Sequence, residues 1–175
     1  MILGAVLAGG RSTRFGSDKA EAIWRGRPLL DHVVDRLGSA SSKVLVVGRD
    51  HADYETISDR PAPNLGPLGG LNAALHFALA NGFDRVLSAP CDAPSLSEEL
   101  LVKLAAARNN VYLADMPVIG CWKADTASLL DAHLRGRQGR SMRSWAERID
   151  AVALDLPAPF NINRPVDLGV LDGPR

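Results

Sequence analysis

The stretch Ile2-Leu3-Gly4-Ala5-Val6-Leu7-Ala8-Gly9-Gly10-Arg11-Ser12-Thr13-Arg14-Phe15-Gly16-Ser17-Asp18-Lys19 decides how the chain is read. Residues 2–7 are short, wholly apolar and end at a glycine pair, which is the pattern of a buried strand. Residues 8–19 then form a polar, glycine-rich loop. Its spacing is neither G-x-x-x-x-G-K-[ST] nor G-x-G-x-x-G. It still holds what a polyphosphate needs. Glycines let backbone N–H groups approach an anion with no Cβ in the way. Arg14 adds a flat bidentate donor and Lys19 a compact point charge. Composition alone allows the same loop to be a basic surface turn.

Outward from this loop, strand-like and helix-like segments alternate. Pro28 opens a helical pattern that places Leu29, Leu30, Val33, Val34 and Leu37 on one face. Residues 43–48 (KVLVVG) read as a second buried strand, and Thr56-Ile57-Ser58 as a short third. Residues 60–67 (RPAPNLGP) are rich in breakers, and a helix follows over 68–80. A strand at 84–90 ends in Cys91-Asp92-Ala93-Pro94. Ser95 and Glu98 then have the spacing of a capping box. Further strands are expected at 111–114, 118–122 and 151–156, helices at 125–134 and 141–148, and a short helix at the C-terminus. Strands separated by helical crossovers predict an α/β fold with a mainly parallel sheet. Ligands of such sheets sit beyond the carboxyl ends of the strands. That singles out the loops at 8–19, 60–67 and 91–94.

Composition narrows the function. The chain has 175 residues, with 20 Lys+Arg against 20 Asp+Glu. One domain, residues 1–175, is expected at this length. An apolar share of 46% is ordinary for a globular protein and excludes disorder as the main state. Zero net charge argues against a nucleic-acid binder that works by bulk charge. No apolar run approaches the roughly 18 residues of a membrane span, so no membrane partner is expected. No basic residue precedes the N-terminal apolar run, as a secretory leader requires. Cys91 and Cys121 form no CxxC pair and read as free thiols of a reducing compartment. A cytoplasmic location is therefore expected. The four histidines show no ligand spacing, so no zinc site is read. Ser12, Thr13 and Ser17 lack a histidine partner, so no covalent enzyme intermediate is expected.

The pattern A-G-G-x-x-x-R-x-G-x-x-K of residues 8–19 resembles the signature of nucleotidyltransferases built on a Rossmann-like α/β domain. Within that superfamily the chain is similar to the molybdenum cofactor guanylyltransferases of MobA type. Gly66-Pro67-Leu68-Gly69-Gly70 resembles the family's Gly-Pro-Leu-x-Gly, and Pro90-Cys91-Asp92-Ala93-Pro94 its Pro-Cys-Asp-x-Pro. Pro117-Val118-Ile119-Gly120-Cys121-Trp122 resembles a Pro-x-x-Gly-Leu-Trp strand, and residues 161–168 an Asn-x-Asn-Thr-Pro-x-Asp-Leu ending. The likeness covers nearly the whole chain. It implies a three-layer α/β/α fold with a mostly parallel sheet, of the nucleotide-diphospho-sugar transferase type. It implies transfer of GMP from GTP to the phosphate of molybdopterin, release of pyrophosphate, and Mg²⁺ as cofactor. Proteins that deliver or receive the molybdenum cofactor would be further partners.

The resemblance assigns nucleotide contacts to Leu7, Ala8, Gly9, Gly10, Lys19, Asp59 and Asp92. It makes Arg14, Lys19 and Asp92 catalytic, Asp92 the Mg²⁺ ligand, and puts Asn161 and Asn163 on the acceptor side. The residues themselves admit a plainer account of each. Asp92 lies just past an apolar strand, where a hard cation held by one or two carboxylates offsets phosphate repulsion; it could equally cap the next helix. Asp59 can accept hydrogen bonds from guanine N1–H and N2–H₂ or from ribose hydroxyls, or stand solvated in its loop. Asn161 and Asn163 can offer amide oxygens to a metal, or serve turn chemistry before Pro165.

Three positions depart from the family: Phe15 replaces the usual Met, Arg164 replaces the usual Thr, and the third is Val47. Val47 stands where an asparagine usually meets the base, which leaves base reading to backbone groups of Leu7 to Gly10. Residues 117–122 and 161–164 are expected to line the acceptor's entry. Arg135, Arg137, Arg140, Arg143 and Arg148 form a basic cluster that reads either as an anion fork or as a solvated face. Trp122 and Trp145 read as core. A cytidylyltransferase acting on the same cofactor, a transferase for another phosphate-bearing acceptor, and a non-catalytic nucleotide-binding protein are the alternatives.

Overall fold

The computed structural model describes residues 1–9, 19–136, 139–162, 167 and 169. Strand β1 (Ile2–Leu7) lies inside a seven-stranded sheet. On one side it pairs with β4 (Lys43–Val47), which pairs with β5 (Thr56–Ile57). On the other it pairs with β6 (Arg85–Pro90), and all four strands are parallel. Next comes β8 (Met116–Lys123), antiparallel to β6, then β7 (Val111–Leu113) and finally β9 (Val152–Leu154), parallel to β7. The reversal of β8 has a local cause. Only Ala114 and Asp115 separate β7 from β8, and so short a connection joins antiparallel strands alone. Residues 48–55 join the parallel pair β4 and β5 without a helix, whereas helices join β1 to β4 and β5 to β6.

Side chains leave a strand alternately to its two faces, and the core divides accordingly. Leu3, Ala5 and Leu7 of β1 pack with Leu45 and Val47 beneath α2 (Pro67–Ala80), α4 (Ala127–Arg135) and α5 (Met142–Arg148). Val6, Val46, Leu87 and Ala89 pack on the other face beneath α1 (Leu29–Gly38) and α3 (Glu98–Ala106). This is the expected three-layer α/β/α arrangement. Trp122 and Trp145 are fully buried, as expected. The indole of Trp122 lies across Gly120, where any Cβ would meet its ring at 2.6 Å, and its N–H donates to Ser88 Oγ at 2.9 Å.

Three local expectations are corrected. The cap of α3 is Ser97, whose hydroxyl accepts the Leu100 N–H at 3.2 Å; the Ser95 hydroxyl instead accepts the Phe160 N–H at 3.1 Å. The second strand stops at Val47, because Gly48 takes φ +87° and turns the chain out of the sheet. Before α1 the chain makes a small hairpin, β2 (Ile23–Trp24) with β3 (Arg27–Pro28). Its two turn residues, Arg25 and Gly26, both have positive φ, the geometry that suits a two-residue hairpin loop. The expected C-terminal helix lies largely outside the described residues.

Candidate active site

The carboxyl ends of four parallel strands are fixed to one another by backbone hydrogen bonds. The Ala8 N–H donates to Val47 O at 2.9 Å, Gly48 N–H to Ile57 O at 2.9 Å, and Cys91 N–H to Leu7 O at 3.3 Å. Each bond lies one residue past a strand, so the outgoing loops start from a common ledge. Leu7 and Ala8 are buried, 7% and 9% exposed, while Gly9 is open to solvent. Only the main chain of Leu7 and Ala8 can therefore meet a ligand.

Asp59 stands at the centre of this ledge. Its carboxylate is surrounded by four glycines from three segments. A Cβ on Gly9 would lie 3.3 Å from Asp59 Oδ2, one on Gly48 2.8 Å from Oδ1, and one on Gly70 3.5 Å from Oδ1; one on Gly69 would lie 3.4 Å from Asp59 Cβ. Asp59 is half-buried and has no hydrogen bond or ion pair among the described residues. Burial pushes its carboxyl pKa above the ordinary value. A partly desolvated, unsatisfied acceptor facing a crevice is poised for donors from a ligand. The reading of Asp59 as a freely solvated loop residue does not survive this geometry.

The N-terminus of α2 borders the same crevice. It begins at Gly66 (φ +65°) and Pro67, with no side chain capping it; Pro67 has no N–H, and the Gly69 N–H donates to Gly66 O at 3.0 Å. Val47 is wholly buried against Leu7 and Gly70 and offers nothing polar to a base. The segment carrying Lys19 is tied down from the next strand. Arg49 Nη2 lies 3.5 Å from Glu21 Oε1, and Glu21 closes the single 3-10 turn Lys19–Glu21. Gly10, Arg14 and the side chain of Lys19 lie outside the described residues.

Across the crevice, β6 ends at Pro90 and Asp92 follows, half-buried. The C-terminal segment is laid against it: Ile162 N–H donates to the Asp92 carbonyl at 3.1 Å. Ile162 is fully buried against Leu29, with Ala22 and Trp24 beside them. The fold thus brings the segment of Asn161 to Asp92 across 68 intervening positions. The amide Oδ1 of Asn161 is shielded from solvent and has no hydrogen-bond partner among the described residues. Asp92 and Asn161 stand on segments joined by that backbone bond, and a carboxylate and an amide oxygen are hard donors that fit a divalent cation of the Mg²⁺ type, which takes few protein ligands. No group of three or more His, Cys, Asp or Glu side chains gathers at a metal-binding distance among the described residues. Asn163 lies outside them.

Two expectations about the acceptor side are narrowed. Ile119, Gly120, Cys121 and Trp122 are buried within the sheet, so only the Pro117–Val118 end of that strand can face an acceptor. In the arginine cluster, Arg143 Nη2 donates to Ala114 O at 2.6 Å and Arg135 Nη2 lies 3.8 Å from Asp131 Oδ2. Both side chains are exposed and hold these intramolecular partners. Arg137 lies outside the described residues. Gly48 and Arg49 were not singled out in the sequence; the only signal was a glycine closing an apolar run.

Parallel strands ending on a glycine ledge, with one carboxylate in the cradle and a second across the crevice, define a nucleotide-handling α/β domain. A model of the "MobA-like NTP transferase domain" matches residues 4–152. A molybdenum cofactor guanylyltransferase of Rhizobium leguminosarum bv. trifolii is 34% identical, over 95% of this chain and 90% of its own. One of Xanthomonas euvesicatoria pv. vesicatoria is 40% identical, over 71% of this chain and 65% of its own. The crystal structure of molybdopterin-guanine dinucleotide biosynthesis protein A from Archaeoglobus fulgidus shares the fold with a TM-score of 0.74 at 23% identity, covering 97% of this chain and 95% of that one. The chain belongs to the MobA-like NTP transferase family and is a nucleotidyltransferase. No described helix is long and apolar enough to cross a membrane.

Proposed function

We propose that the chain, acting as a single domain in the cytoplasm, transfers GMP from GTP to the phosphate of molybdopterin. An oxygen of the acceptor phosphate attacks the α-phosphorus of GTP in line with the bond to the β-phosphate. That bond breaks and pyrophosphate leaves with its electrons. The observation that carries this reading is the convergence of Gly9, Gly48 and Asp59 on one side of the crevice with Asp92 and Asn161 on the other. The names of the relatives supply the nucleotide and the acceptor.

The backbone of Leu7 to Gly10 cradles the triphosphate. Arg14 holds the terminal phosphates, and Lys19 balances charge on the α-phosphate. Such a displacement needs positioning and charge neutralisation rather than a nucleophilic side chain. Asp59 accepts from guanine or ribose donors, which Val47 cannot do. Asp92, with Asn161 and Asn163, would hold Mg²⁺, which when bound would offset the negative charge of the phosphates. The acceptor comes from the side of Pro117, Val118 and residues 161–164, and proteins that supply or collect the cofactor dock there. No nucleic acid or membrane takes part.

Calorimetric titration with GTP, CTP and ATP, each with Mg²⁺, tests the reading. Selective binding of GTP is expected. Preference for CTP would move the chain to the cytidylyltransferase reading with the phosphate and metal roles unchanged. Failure of all three to bind, with and without the pterin, would overturn it.

A further inference from the structure

Asp59 has no hydrogen bond among the described residues, so its direction in the crevice is set by its backbone. That backbone is held at the next residue. Arg60 N–H donates to Gly69 O at 3.1 Å, and Arg60 O accepts from Asn72 Nδ2 at 3.3 Å. Both main-chain polar groups of residue 60 are thus tied to α2, one turn apart. Asn72 is fully buried in a helix that is otherwise apolar along its inner face. A buried amide in such a place needs partners. Its second partner is Asp131 on α4: Asn72 Nδ2 donates to Asp131 Oδ1 at 2.8 Å. His76 Nε2 sits 3.0 Å from the other carboxylate oxygen, and the guanidiniums of Arg60 and Arg135 lie 3.8 Å away. Burial raises the Asp131 pKa, but the Asn72 amide, His76 and Arg60 outweigh it, and the carboxyl titrates below its ordinary value. Asp131 is therefore an anchor that keeps its charge, fixed from three sides.

We infer that Asn72 and Asp131 are positioning residues for nucleotide binding: through the Arg60 carbonyl they hold Asp59 against Gly9 and Gly48. Neither touches the nucleotide. The inference rests on the reading that Asp59 meets the nucleotide. Aligning a ligand-binding carboxylate in advance lowers the ordering cost of binding. It leaves the chemistry at Asp92, on the far side of the crevice, unchanged. The effect should fall on GTP affinity and KM, not on kcat.

The test is a double-mutant cycle read by calorimetric GTP binding with Mg²⁺ and by steady-state turnover, on protein shown by thermal melting to be folded at the assay temperature. Asn72→Leu and, separately, Asp131→Leu should each weaken GTP binding by about tenfold and change kcat by less than about twofold. Asp131→Asn keeps an oxygen for the Asn72 amide and should restore binding to within about twofold of the parent. Asp59→Ala weakens GTP binding by itself, and in that background Asn72→Leu should cost less than about twofold more. Equal losses in both backgrounds, or no loss in the parent, would overturn the inference. If Asp59→Ala leaves GTP binding intact, the assignment of Asp59 fails first, and the two failures are told apart.

Discussion

Gly48 and Asp59 meet so closely that no side chain fits between them: a Cβ on Gly48 would lie 2.8 Å from Asp59 Oδ1 and 2.7 Å from Gly9 Cα. The backbone there has φ +87°, which L side chains rarely adopt. Gly48→Ala should therefore cost about 1–3 kcal/mol of stability and push Asp59 or Gly9 aside. GTP affinity should fall about tenfold or more. Gly26→Ala is the comparison, since Gly26 also has positive φ but nothing within 4 Å of its added Cβ. It should lose stability in urea denaturation while binding GTP like the parent. Equal GTP affinities for the two variants would refute the cradle.

Asp59 makes stability depend on pH in a definite direction. Its folded pKa is raised by burial, so the folded state holds the proton more tightly than the unfolded chain. The linkage slope is then negative: stability falls as pH rises from the ordinary carboxylate value of 3.8 through the raised folded value, and stays lower above it. Asp59→Asn removes that loss. The variant should gain on the parent at pH 7, and the gain should shrink towards pH 4. Urea midpoints at the two pH values check this; a gain that is the same at both removes the desolvation argument.

Asp92 has the opposite signature, since its work lies in turnover. Asp92→Ala should lower kcat by about a hundredfold or more while leaving the fold intact. Chelation of divalent cations from the parent should give a similar loss, reversed by added Mg²⁺. Pyrophosphate release measured against Mg²⁺ concentration decides it. Full turnover in Asp92→Ala would remove Asp92 from the metal site.

The two cysteines should be told apart chemically. Cys121 is wholly buried in β8, and burial lifts its thiol to about 11, so it presents almost no thiolate at neutral pH. Cys91 is half-buried, packed against the core beneath α1 and α3, and precedes Asp92 in the chain. Alkylation of the native protein at pH 8 should label Cys91 alone, with Cys121 reacting only in denaturant. Bound GTP with Mg²⁺ should slow the labelling of Cys91. Mass spectrometry of the labelled peptides gives the answer.

Much of the fold was legible in the chain because local rules and packing agree. Residues 2–7 and 44–47 are continuous apolar runs, and 86–90 is broken only by Ser88, as strands covered on both faces tend to be. The 67–80 helix announces itself by Gly66-Pro67 at its start. Boundaries were harder. Ser95 and Ser97 both offer a hydroxyl ahead of an acidic residue, and only the packing of the 160–162 segment assigns Ser95 to Phe160 and leaves Ser97 to cap. The reversal of β8 follows from a two-residue connection that looks like any polar turn until its partners are known.

By itself the sequence determined the α/β alternation and offered a phosphate-suited loop, because periodicity, glycine and charge are local properties of the chain; Asp59 and Asp92 were candidates through the family resemblance. Only the tertiary structure decided what those residues do to one another. Asp59 became a partly desolvated acceptor because Gly9, Gly48, Gly69 and Gly70 close on it from three segments. Asn161 reached Asp92 because the buried Ile162 pins the chain's end across the loop after β6. Asn72, an unremarked residue in an apolar run, gained a role only once α4 carried Asp131 against it. Burial and partnership arise between segments far apart in the chain, and no local pattern encodes them.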